Sequence, residues 1–213
     1  MNIIQPPKPN KGLGQNFLTD RAAVQTIIEA ADIKPDEVVL EIGPGTGALT
    51  LALAKKAKKV IAVEKDPRMC QILRKMLEGW QVKNVEIVQE DIRNFKLKIR
   101  NYKVVASLAF YLTAPVIRQF LETKNPPKEM VLVVQKEVGQ RIVARPPEMS
   151  LLSVSVQFYA EPKIIGYISK KSFWPSPKVD SAIIKIQSPR SKIQNIDRNL
   201  FFKIARAGFS QPR

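Results

Sequence analysis

The sequence predicts an α/β fold: a mostly parallel sheet of seven strands, helices on both faces, and an antiparallel hairpin at its end. Three observations carry that prediction. Short apolar runs rich in β-branched residues recur at residues 38–42, 60–64, 85–89, 103–106 and 130–134, and stretches with helical spacing separate most of them. The first run leads into Glu41-Ile42-Gly43-Pro44-Gly45-Thr46-Gly47, a strand turning sharply toward a helix through glycines at alternate positions. After Pro146-Pro147 the alternation stops, and apolar runs at 151–159, 163–168 and 182–186 follow without an intervening helix, so these are expected to pair antiparallel. The pattern is Rossmann-like, with ligands expected outside the carboxyl ends of the parallel strands.

The elements follow in order. Residues 1–19 carry Pro6, Pro7, Pro9, Gly12 and Gly14, which favour an extended arm over a helix, while Phe17 and Leu18 are apolar enough to dock it as a lid. Asp20 is placed to cap a helix over 21–31. Helices expected at 46–56, 67–77, 114–122 and 136–144 alternate with the strands. A last helix at 196–208 bears an apolar stripe of Leu200, Phe201, Ile204 and Ala205, with nothing downstream to cover it. The expected division is an arm at 1–19, a main domain at 20–190, and the start of a small helical domain at 191–213.

Composition narrows the classes. At 213 residues the chain supports one sizeable core, and no uninterrupted apolar run approaches the roughly 20 residues of a membrane span. The polar start, residues 1–11, does not read as a signal peptide, so a soluble cytoplasmic monomer is expected. A single cysteine, Cys70, allows no intrachain disulfide, and the absence of histidine removes imidazole chemistry and the usual zinc sites, so no metal is expected. Thirty-five Lys plus Arg against nineteen Asp plus Glu give a net charge of +16 and point to a polyanionic partner, nucleic acid first. The basic residues gather as Lys55, Lys56, Lys58 and Lys59, then Lys96, Lys98, Arg100 and Lys103, then Lys163, Lys170, Lys171 and Lys178. The third group, beside Phe173 and Trp174, best suits splayed RNA bases.

The glycine turn selects the ligand. A dinucleotide fingerprint needs Gly-x-Gly-x-x-Gly, whereas here the third glycine arrives one residue early. Glu41 would repel a pyrophosphate and favour a cation, which suits the sulfonium and amino group of S-adenosylmethionine better than NAD. Glu64 ends the second strand, where a carboxylate accepts from ribose hydroxyls. Asp91 follows the third strand, where it can accept from an adenine amino group while Ile92 packs on the ring.

Gly14-Gln15-Asn16-Phe17-Leu18, the glycine turn, Glu64, Glu90-Asp91-Ile92 and Phe173-Trp174-Pro175-Ser176-Pro177-Lys178-Val179-Asp180-Ser181, in that order, resemble the small-subunit ribosomal RNA adenine N6,N6-dimethyltransferases. The resemblance covers essentially the whole chain. It implies a class I methyltransferase fold, S-adenosylmethionine as cofactor, and ribosomal RNA in a small-subunit precursor as partner. It also implies that Gln15, Asn16, Leu18, Gly43, Gly45, Lys65 and Ser107 join Glu41, Glu64, Asp91 and Ile92 around the cofactor.

The family places Asn-Leu/Ile-Pro-Tyr after the fourth strand. There an amide oxygen and a proline-constrained carbonyl accept the amine hydrogens, and the aromatic ring stacks on the flipped base. This chain has Ser107-Leu108-Ala109-Phe110, with Phe173 as the implied second stacking face. Ser107 keeps one acceptor without an amide plane, Phe110 keeps the ring without the hydroxyl, and Ala109 removes the φ restriction. Two function classes follow: an RNA adenine dimethyltransferase with an altered, slower loop, or a non-catalytic RNA-binding assembly factor that keeps the fold. Family members also continue past the segment matching Phe209-Ser210-Gln211 into a helical domain, so Pro212-Arg213 is expected to mark a truncated one.

Overall fold

The computed structural model describes residues 7–96, 99–187 and 196–210. Pro6 of the arm, Lys98 of the second basic group, residues 191–195 of the expected boundary, and Gln211, Pro212 and Arg213 lie outside the described residues. A seven-stranded sheet takes the order β4-β3-β2-β5-β6-β9-β7. Its members are β2 (Val38–Ile42), β3 (Lys59–Glu64), β4 (Val85–Gln89), β5 (Tyr102–Ser107), β6 (Glu129–Gln135), β7 (Glu161–Ile168) and β9 (Ser181–Gln187). The five from β2 to β6 pair parallel, and β9 pairs antiparallel with both β6 and β7. A separate two-stranded sheet joins β1 (Phe17–Leu18) to β8 (Phe173–Trp174).

Strands buried on both faces need apolar residues at most positions, and the central strands supply them. Leu40, Ile61, Val104 and Leu132 point to one face, while Val39, Val60, Val105 and Val131 point to the other. On the second face lie α1 (Arg21–Ala31), α2 (Ala48–Ala54) and α3 (Pro67–Gly79), contributing Ile27, Leu53 and Leu73. The first is covered by α4 (Thr113–Leu121), α5 (Lys136–Val143) and α6 (Leu151–Tyr159), through Phe120, Ile142 and Val156. Asp20 caps α1 as expected, accepting from the Ala22 and Ala23 amides.

The run at 151–159 forms helix α6 and not the expected strand. Ser150 and Ser153 close a capping box, with the Ser150 amide 2.6 Å from Ser153 Oγ, and Ser155 bonds back to the Leu151 carbonyl at 2.7 Å. Since β6 and β7 run in the same direction, the chain between them must cross over, and α5 and α6 together form that crossover. The hairpin is real, but only β9 is reversed and it inserts between β6 and β7.

The stripe on α7 (Arg198–Phe209) is not wholly uncovered. Phe201 stacks on Phe158 of α6 with centroids 4.3 Å apart, and Phe202 meets Phe158 and Tyr159, whereas Leu200 and Ile204 stay exposed. No described helix is long and apolar enough to cross a membrane.

Candidate active site

A cavity opens at the carboxyl ends of β2, β3 and β5, roofed by the N-terminal arm. One wall is the glycine turn. Gly43 and Gly45 adopt φ of 67° and 52°, which L side chains rarely hold, and a Cβ on Gly45 would meet the Phe17 ring at 3.0 Å. Gly47 has a different task. A Cβ there would strike Leu73 at 2.7 Å and also Met76, so its missing side chain lets α2 lie close to α3. The early third glycine that argued against a dinucleotide thus serves helix packing.

The acids diverge in environment. Glu64 lines the cavity, and its carboxylate accepts from the Gly45 amide at 3.2 Å and the Asp66 amide at 2.8 Å; burial nevertheless raises its pKa. Asp91 also lines the cavity, gripped by Arg93 at 2.6 and 3.0 Å and by Lys65 at 3.0 Å, so it stays far below the ordinary carboxylate range. Ile92 is buried in the same wall. Glu41 lies behind, in a smaller adjoining pocket that it shares with Leu18, Asn16, Gly43, Gly45 and Ser107. It is 1% exposed and its Oε2 has no hydrogen-bond partner. Burial pushes its pKa up to about 8; nearby Thr50 opposes the shift without reaching hydrogen-bond geometry, and the charge of Glu64 adds to it.

The arm is latched by Asp66, which the sequence reading did not single out. Its carboxylate accepts from Gln15 Nε2 at 2.9 Å and from Arg68 at 2.6 and 3.0 Å, and it caps α3 through the Arg68 amide. The Arg68 guanidinium chiefly holds its pKa down to about 2. Gln15 therefore lines the cavity with its amide spent on Asp66 and on the Asn10 amide, while Asn16 bonds the Gly14 carbonyl. An Asp before a Pro at a helix start was a legible cap signal, but its reach to residue 15 was not.

The far wall holds Ser107, Leu108, Ala109, Phe110 and Phe173 together. Leu108 donates its amide to the Val133 carbonyl at 3.2 Å, and the Ala109 carbonyl accepts from the Leu112 amide at 2.8 Å. Ala109 adopts φ −58° and ψ 136°, the conformation a proline would impose. Phe173 is buried where β8 pairs with Leu18, so the arm and the Phe173 segment share one small sheet. Tyr111, half exposed, also lines the chamber beside Gly14; the aromatic pair Phe110-Tyr111 was its only sequence signal.

The glycine cradle and the orphaned buried Glu41 fit a ligand that carries positive charge, and the aromatic wall opposite fits a flat base. Solved structures with this architecture include two that are 30% identical to this chain. A dimethyladenosine transferase from Plasmodium falciparum is 30% identical with a TM-score of 0.85, over 92% of this chain and 72% of that one. The 23S rRNA methyltransferase ErmE is 30% identical with a TM-score of 0.78, over 85% and 73%. By fold and site the chain is therefore a Rossmann-like methyltransferase.

Sequence likeness then fixes the branch. The ribosomal RNA small subunit methyltransferase A of Dehalococcoides mccartyi is 43% identical over 212 residues, 97% of this chain and 72% of its own length. The chain belongs to the ribosomal RNA adenine dimethylase family, which it matches over residues 7–213.

Proposed function

We propose that this protein uses S-adenosylmethionine to dimethylate the exocyclic N6 of adenines in small-subunit ribosomal RNA. The observation that carries the reading is the single chamber in which Gly43, Gly45, Glu64 and Asp91 face Ser107, Phe110 and Phe173. The cofactor supplies a methyl group already activated on a sulfonium. The chain's task is therefore to hold and aim.

Glu41, once ionised, would balance the cofactor's positive charge from the adjoining pocket. Glu64 would accept from ribose hydroxyls, and Asp91, its charge balanced by Arg93 and Lys65, retains acceptor positions for the adenine moiety beside Ile92. Gln15, Asn16 and Leu18 close the arm over this end. Opposite, Ser107 Oγ and the loop carbonyl would accept the amine hydrogens of the target base, turning the nitrogen lone pair toward the methyl. Phe110 and Phe173 would stack on the base's two faces. Residues 20–190 would form this transferase unit and residues 191–213 the start of a helical one. The protein would act as a monomer on ribosomal precursors in the cytoplasm.

The non-catalytic alternative is not favoured, because the relatives across the whole chain are methyltransferases by name and every wall of the chamber is present. The test is transfer of labelled methyl from S-adenosylmethionine to immature small-subunit particles, followed by nucleoside analysis. Label in N6,N6-dimethyladenosine is the expected result. Cofactor binding with no label in adenosine would overturn the reading.

A further inference from the structure

We propose that a groove beside the chamber is the track for the RNA strand flanking the target adenine, its phosphates held by Lys136, Lys170 and Lys178. This rests on the RNA reading above and adds where the strand runs. The groove encloses about 360 Å³ and is lined by these three lysines with Glu137, Gln140, Val179 and Asp180, so cations outnumber acids three to two. Its position follows from strand register: Gln135 of β6, Ser181 of β9 and Ile168 of β7 are aligned neighbours. The start of α5 and the loop from 169 to 180 therefore lie on the same sheet edge as the chamber. Ser181 and Pro177 also belong to the chamber wall, so the two depressions adjoin.

The groove has a fixed frame. Asp180 accepts the Lys170 amide on its carboxylate at 3.0 Å and the Lys136 amide on its backbone carbonyl at 2.9 Å; Ser176 Oγ donates to the Lys170 carbonyl at 2.9 Å. Both lysine-bearing segments are thus tied to one residue, and the Asp180 carboxylate is engaged at its base. Among the described residues, none of the three lysines is ion-paired, so their charge is available to phosphate. Lys136 Nζ also lies 5.3 Å from the centre of the Tyr167 ring, which is 55% exposed, and Trp174 is exposed beside Phe173. Exposed rings among unpaired cations are what a splayed single strand requires.

Several members of the other basic groups differ in position or partners. Lys59 pairs with Glu86, Lys103 is buried against Glu37, and Lys163 opposes Lys185 well back along β7. Lys55, Lys56 and Lys58 precede β3 and therefore occupy the opposite sheet edge.

The experiment compares the full chain with Lys136→Gln/Lys170→Gln/Lys178→Gln and with Lys55→Gln/Lys56→Gln/Lys58→Gln. Methyl transfer to purified small-subunit ribosomal RNA and to immature particles is measured across a salt series, with cofactor affinity as the check on folding. The groove variant is expected to raise the RNA KM about tenfold or more and to flatten the log–log salt dependence by about 2, from roughly 0.7 per lost phosphate contact. Cofactor affinity and the second variant should be unchanged. Equal KM and salt slope in the groove variant, or equal losses in both variants, would overturn the track. A loss seen on particles but not on naked RNA would also overturn it, since the groove would then meet ribosomal protein. No transfer by the unsubstituted chain would overturn the underlying reading instead.

Discussion

Glu41 carries a carboxyl held neutral at pH 7 by burial, with one oxygen lacking a partner. Its folded pKa of about 8 exceeds the ordinary 4.5, so the stability linked to its proton is fully present below pH 4.5 and is lost as pH rises through 8. A cationic ligand reverses the preference and drives the proton off. Calorimetry at pH 7 in buffers of different ionisation enthalpy should therefore show release of about one proton per S-adenosylmethionine bound. Glu41→Gln should abolish the release; equal release in that variant would show that another group titrates. Ser107 gives a second prediction at this scale. Ser107→Asn restores an oriented amide acceptor and should raise single-turnover methyl transfer roughly tenfold, the worth of about one hydrogen bond; an unchanged rate would mean that the serine already suffices. Ala109→Pro has no strain to relieve, because φ is already −58°. Denaturant unfolding should show a gain of about 0.5 kcal/mol. Glu64 and Asp91 were legible as candidate site residues because each ends or follows a strand on the ligand edge, whereas Ser107 and Phe173 were reached through the family resemblance. That Glu41 sits in an adjoining pocket was not legible, since strand position alone does not say how deeply a side chain is buried.

Among the elements, the arm and α3 are joined by one carboxylate. Asp66 is 3% exposed and serves Gln15, Arg68 and the first turn of α3 together. Asp66→Asn should weaken cofactor binding about tenfold and expose the arm to protease while leaving the core intact; cofactor titration and timed proteolysis would read both effects. With its folded pKa near 2 against 3.8, the stability it contributes is present above pH 3.8 and is lost as pH falls through 2. Helix α6 shows the limit of reading elements locally. In residues 151–159, Ser153, Ser155 and Gln157 alternate with Val154, Val156 and Phe158, a period of two that reads as strand although the segment is helical. Tertiary contacts decide it: Val156 enters the core, and Gln157 donates to the Ile142 and Ala144 carbonyls at the end of α5. The cap at Asp20 needed no such information, since cap chemistry is local.

Across the molecule, the charge of +16 divides into working and structural parts. Lys103 reads as part of a basic run, yet its ammonium is buried, donating to the Ala31 and Asp32 carbonyls at 2.8 and 3.0 Å and pairing with Glu37 at 3.1 Å. It ties the end of α1 to the base of the sheet. Lys103→Ala should cost about 3 kcal/mol in denaturant unfolding, because it strands buried carboxylates, without altering the salt dependence of RNA binding. A salt-dependent loss of RNA affinity at full stability would contradict that assignment. By itself the sequence determined the strand–helix alternation, the glycine turn, the acids at the strand ends and the family, because these reside in short-range pattern and local backbone chemistry. Only the tertiary structure decided that α6 is a crossover helix, that Asp66 latches the arm, and which lysines face the chamber's edge. Each of those depends on contacts between residues distant in the chain, and sheet order and direction set such contacts in ways that no local window contains.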